Sequence, residues 1–169
     1  LLGWFATYAP PIRGGATFRE TTAWVPSLDV GATFVLDGLS LLFVVLITGL
    51  GAVITVYAGR YLEGHRDLGR FFLTFLAFMS AMLGVVLADN LLLLFIFWEA
   101  TSLCSYLLVG FKHEKETART SALQALLVTG SGGLALLIGI LLLGVAGGSY
   151  ELSVLMGQAD QIQAHPLYL

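Results

Sequence analysis

Four stretches of this chain are apolar for long enough to cross a bilayer, and they bound what it can fold into. Roughly 20 residues, rising about 1.5 Å each, span the hydrocarbon. Residues 38–59, 71–88, 90–111 and 119–146 answer to that description. The predicted fold class is therefore all-α, a polytopic transmembrane helix bundle. Composition agrees: 57% of the residues are hydrophobic and 11% are charged, against about 25% charged in soluble domains. The expected surroundings are a lipid bilayer. The formal net charge of −3 says little about partners, because the charges sit in loops, and nothing points to nucleic acid.

Leu1–Tyr8 is apolar, with neither a basic start nor a small-residue cleavage site, and reads as the tail of an earlier transmembrane helix. Residues 9–37 read as a loop carrying Arg13, Arg19, Glu20 and Asp29, with Pro10, Pro11 and Pro26 opposing a long helix. Asp37 is placed to cap the span that follows. Asp89-Asn90 makes a very short turn. In 149–164, Leu152, Leu155, Met156, Ala159 and Ile162 recur at helical spacing, interleaved with Glu151, Gln158 and Asp160. That predicts an amphipathic helix lying on the membrane surface, with Ser149 as its cap. A start without Met and an end at His165-Pro-Leu-Tyr-Leu read as a single, partial membrane domain.

Orientation follows from basic residues, which favour cytoplasmic loops. Arg60, Arg66 and Arg70 flank one loop and Lys112, Lys115 and Arg119 another, together six of the eight Lys and Arg. Loops 60–70 and 112–119 are therefore expected in the cytoplasm, and 9–37 and 149–164 on the opposite side.

Glu99 carries the chemistry. It stands alone in the run from Leu91 to Phe111, where a charge costs on the order of 3 kcal/mol even on a lenient insertion scale. Of the 19 Asp, Glu, Lys and Arg residues, it alone falls in the interior of a span, Arg119 standing at the very start of the fourth. Ser102 and Tyr106 follow it by three and seven residues, on its helical face. A carboxyl flanked by hydroxyls can hold a water chain for proton transfer, here directed towards Lys112. No Lys, Arg or His within the spans can pair with Glu99. In the fourth span, Ala125, Thr129 and Gly133 recur every four residues, as do Ala135 and Gly139, a spacing that lets helices approach closely in lipid. Gly130, Gly132 and Gly133 also mark a weak point where the helix could hinge. Gln124 and Thr129 read as bonds to a neighbouring helix. Cys104 reads as a packing residue, and with one cysteine no intrachain disulfide forms. His65, His113 and His165 fit no metal site, and no nucleotide, haem or iron–sulfur motif is present. No cofactor or metal is expected.

Trp24-Val-Pro, then Phe34-Val-Leu-Asp-Gly-Leu-Ser-Leu-Leu-Phe, then Ala88-Asp-Asn-Leu-Leu-Leu-Leu-Phe-Ile-Phe-Trp-Glu-Ala-Thr-Ser resemble the antiporter-like subunits shared by Mrp-type cation/proton antiporters and respiratory complex I. The likeness runs from about Trp24 to the end. Thr129-Gly-Ser-Gly-Gly-Leu, His113-Glu-Lys-Glu and His165-Pro-Leu-Tyr look like the large A subunit of Mrp antiporters; the complex I relative typically has an arginine and an aspartate near Gly130 and Gly133. The resemblance implies that Glu99 is the family's buried proton-handling carboxylate, with a lysine partner on a helix after Leu169. It implies one subunit of a multisubunit complex in the cell membrane, exchanging Na+ or another monovalent cation for protons beside other Mrp subunits. Such a protein is a transporter, not an enzyme. The alternatives are a proton-pumping subunit of complex I, within an oxidoreductase, and a structural scaffold subunit.

Overall fold

The computed structural model describes residues 1–25, 30–111, 114–164 and 166. Pro26, Asp29, Lys112, His113, His165 and residues 167–169, named above, lie outside them. Four helices are long and apolar enough to cross a membrane: α3 (Gly38–Tyr61), α4 (Leu68–Leu87), α5 (Leu91–Val109) and α6 (Glu116–Gly147). Around them are α1 (Leu2–Ala6), α2 (Ala9–Arg13), β1 (Phe18–Val25), β2 (Val30–Leu36), α7 (Leu152–Gly157) and α8 (Ala159–Gln163). The all-α membrane bundle is the fold, with one small antiparallel ribbon added.

Each long helix packs on the next in sequence, α3 on α4, α4 on α5 and α5 on α6. Glycines set how closely they approach. A Cβ on Gly51 would overlap the Met79 side chain across the α3–α4 seam. One on Gly84 would overlap the Phe97 ring across the α4–α5 seam. In each pair a side chain of one helix enters a space that exists because its neighbour has none, the close packing that drives association where lipid is as apolar as leucine. Outward faces such as Leu42, Leu46, Leu73, Leu127 and Val128 stay exposed.

Local chemistry fixes the helix ends. Asp37 accepts from the Ser40 N–H (2.8 Å) and Ser40 Oγ accepts from the Asp37 N–H (2.7 Å), a capping box that starts α3. Asn90 starts α5 by accepting from the Leu92 and Leu93 N–H groups at 3.0 and 3.2 Å. Gly148, at φ 65°, ends α6 in the left-handed conformation that glycine adopts without strain.

The segment 9–37, expected to be a loop, instead holds α2 and a hairpin in which Thr21 pairs with Thr33 and Phe18 with Leu36. Pro10 and Pro11 lie in the first turn of α2, where a missing N–H costs nothing. The segment 149–164 is two short helices instead of one. Ser149 does not cap them: Glu151 occupies that position, and Ser149 Oγ accepts from its N–H at 3.1 Å. α6 runs unbroken through Gly130–Gly133, because helical hydrogen bonding continues across all three glycines.

One end of the bundle is closed by polar contacts among segments far apart in sequence. Arg19 of β1 reaches both Asp89, at 3.0 Å, and Glu151. Asp89 accepts from the Ser153 N–H and hydroxyl at 3.1 and 2.7 Å. Thr33 of β2 donates to Glu151 at 3.0 Å. Apolar clusters lie beneath: Phe5, Ile12, Leu36, Leu41 and Val44 on one side, Leu91, Ile140, Leu155 and Ile162 on the other. At the opposite end the Phe111 ring meets His65 at a tilt and Phe71 edge-on, centroids 5.5 and 5.6 Å away, so the two basic loops meet there.

Candidate functional site

Midway along α5, Glu99 turns towards α6. Its Oε1 is buried and has no hydrogen-bond partner among the described residues. It lies where a Cβ on Gly133 would be; such a Cβ would overlap Oε1 and stand 3.0 Å from Cδ. The α5–α6 seam thus repeats the side-chain-into-glycine packing of the other two seams, with a carboxyl as the inserted group. Among the described residues, the ion pairs join Arg19 to Asp89 and Glu151 and leave Glu99 out. A buried polar oxygen without a donor carries an uncompensated desolvation cost, which sets this atom apart from the other polar side chains of the seam.

Beside the seam is a cleft of about 740 Å³ between α4, α5 and α6. Four hydroxyl residues, Thr101, Ser102, Ser105 and Thr129, line it among apolar neighbours such as Phe78, Leu94 and Trp98. Ser102 is three residues from Glu99 and Gly132 adjoins Gly133, so cleft and carboxyl share the same helix turns. Three of the hydroxyls give their protons to their own helices. Thr101 and Ser102 donate to the Trp98 carbonyl (2.7 and 3.3 Å), and Thr129 donates to the Ala125 carbonyl (2.9 Å). Each keeps lone pairs that can accept from water or from a protonated carboxyl.

Ser102, three residues after Glu99 on α5, lines the cleft and is bonded to its own backbone. Tyr106 is half-buried one turn further and does not line the cleft. Thr129, expected to bond to a neighbouring helix, bonds within α6, and Gln124 is exposed. Of the small-residue stripes in α6, Gly133 is buried while Ala125, Thr129 and Ala135 are exposed. Thr101 and Ser105 could not be picked out from the sequence because they lie off the Glu99 stripe; the cleft spans the groove beside it. No group of three or more His, Cys, Asp and Glu among the described residues could hold a metal.

Two family descriptions match the chain: "NADH-Ubiquinone oxidoreductase (complex I), chain 5 N-terminus" over residues 24–72, and "NADH:quinone oxidoreductase/Mrp antiporter, TM" over 88–168. The chain is 44% identical over 159 residues to a probable A/B subunit of a K(+)/H(+) antiporter in Rhizobium meliloti, covering 94% of this chain and 16% of that protein. It is 41% identical over 180 residues to the A1 subunit of a Na(+)/H(+) antiporter in Staphylococcus haemolyticus, covering 99% of this chain and 22% of that one. Among solved structures, the Mrp complex from Dietzia sp. superimposes with a TM-score of 0.78 at 31% identity, over 96% of this chain and 19% of the matched one. An archaeal membrane-bound sulfane sulfur reductase matches with a TM-score of 0.69 at 20% identity, over 96% of this chain and 26% of that chain, a likeness of fold alone. The chain thus spans about a fifth of the length of these relatives.

Proposed function

The chain belongs to this family of antiporter-like membrane subunits, and on that premise we propose that it forms part of a multisubunit cation/proton antiporter of the Mrp type. In this reading Glu99 takes up and releases the proton. The observation that carries it is the Glu99 carboxyl, with an oxygen buried and unpartnered in the seam of an otherwise uncharged span. The cycle follows from that placement. The carboxyl sits in the seam away from any cation, and in this reading proton transfer is tied to an arriving water chain or positive charge. The hydroxyl-lined cleft supplies acceptors along which water can reach the carboxyl.

The exchanged ion in this reading is a monovalent cation, Na+ in the first instance, since the relatives named above belong to Na(+)/H(+) and K(+)/H(+) antiporters. Other antiporter subunits are its partners and the cell membrane its location, with the basic loops at the Phe111 end in the cytoplasm. A proton-pumping role in complex I has less support, because these relatives are transporter subunits and not enzymes.

The test is cation-driven proton movement in vesicles carrying the assembled complex. Glu99→Gln keeps shape and removes the titrating proton; exchange should collapse at normal assembly. Glu99→Asp keeps the titrating group and should retain partial activity. A scaffold role for Glu99 reverses that order, with Gln tolerated better than Asp.

A further inference from the structure

Of the three glycine seams, two receive apolar side chains, Met79 and Phe97, and need no explanation beyond packing. The third receives a carboxyl. We propose that Gly133 is a positioning residue for Glu99: by having no side chain, it holds the carboxyl in the α5–α6 seam, withdrawn from the adjoining cleft. The inference rests on the proton-carrying role of Glu99 and adds the group that sets where that proton is held.

The geometry is specific to residue 133. A Cβ there would overlap Glu99 Oε1 and lie 3.0 Å from Cδ and 3.6 Å from Oε2, so Oε1 must leave its place and Cδ must give with it. At Gly130 and Gly139, on the same helix, a Cβ would meet nothing within 4 Å. Glycine in a helix interior costs about 1 kcal/mol relative to alanine, and at 133 the carboxyl occupies the space that cost leaves open. The cleft walled by Trp98, Ser102 and Gly132 adjoins the seam and offers open volume for a displaced carboxyl. Seam and cleft are thus two positions for one side chain, the first hiding Oε1 and the second lying among hydroxyls.

The test uses the assembled complex and two readouts. One is cation-driven proton exchange as a function of pH. The other, independent of transport, is the rate at which dicyclohexylcarbodiimide, which reacts with protonated carboxyls in apolar surroundings, modifies Glu99, followed by mass spectrometry. Gly133→Ala should raise modification several-fold and cut exchange about tenfold or more, since displacing a reacting group by an ångström costs rate on that scale. Glu99→Asp, one methylene shorter, should raise exchange in the Gly133→Ala background to the partial level of Glu99→Asp alone. Gly130→Ala and Gly139→Ala should behave as wild type in both readouts. If Gly133→Ala does not assemble, adding Glu99→Ala, which removes the clashing carboxyl, should recover assembly. Wild-type modification and exchange in Gly133→Ala, or no rescue by the shorter or absent side chain, would overturn the proposal. If Glu99→Gln transports normally while Gly133→Ala still alters carbodiimide modification, the proton-carrier role fails and the positioning stands.

Discussion

Two carboxyls show how burial decides what an acidic residue does. Asp37 faces the open N-terminus of α3; the Ser40 N–H above all, and the Ser40 hydroxyl after it, hold its carboxyl below the ordinary range against the opposing effect of partial burial. Its group stabilises as an anion, so the contribution is present above the unfolded carboxyl range and fades as pH falls through the lowered folded value. Asp37→Ala should cost about 1 kcal/mol, and the gap from wild type should close in acid. Thermal unfolding of the solubilised protein, followed from neutrality down to a pH below the lowered folded value, checks this. Glu99 is the opposite case: its Oε1 is buried without a donor, and no helix end depends on it. The Asp37 cap was legible in the sequence from its place before an apolar run, and Glu99 was singled out by its isolation within one. What Glu99 touches was not legible, because the register between α5 and α6 decides that Gly133 and not Ala125 or Thr129 faces it.

At the scale of elements, the helices were readable and the hairpin was not. β1 is exposed along nearly its whole length, so no alternation of buried and exposed positions marks it as a strand. Its Thr-rich, Trp-containing composition suits a strand, but a ribbon off the core leaves only that weak sign. The contacts that hold it were equally hidden, since Arg19, Asp89 and Glu151 meet only in three dimensions. Arg19 is 41% exposed and Asp89 8%. The pair is therefore worth less than a fully buried one, and Arg19→Ala should cost about 1–3 kcal/mol by leaving Asp89 beside Glu151 without a cation. Hydrogen exchange should accelerate at the Asp89 amide, which donates to the Thr33 carbonyl at 2.9 Å. Glu151→Gln, which keeps Arg19 on Asp89, should perturb that amide less. Equal protection in all three proteins would show that the cluster does not hold the hairpin down.

For the whole molecule, the alternation of four spans puts the hairpin, the Asp89-Asn90 turn and α7–α8 at one end, and both basic loops at the other. A cysteine at Arg66 and one at Glu20, each introduced with Cys104→Ser, should be labelled from opposite sides of sealed vesicles, Arg66→Cys from the cytoplasmic side. Labelling of both from one side would refute the arrangement. The division of labour within that frame is simple. Apolar seams fix three helices against their neighbours, a polar cluster closes one end, and the third seam holds the carboxyl that the proposed function makes the proton carrier. Infrared difference spectroscopy on the assembled complex reads that proton itself. Imposing and removing a cation gradient should produce a reversible change in the protonated-carboxyl stretch, absent in Glu99→Gln. A band that persists unchanged in Glu99→Gln, or exchange without any such band in wild type, would contradict proton carriage by Glu99.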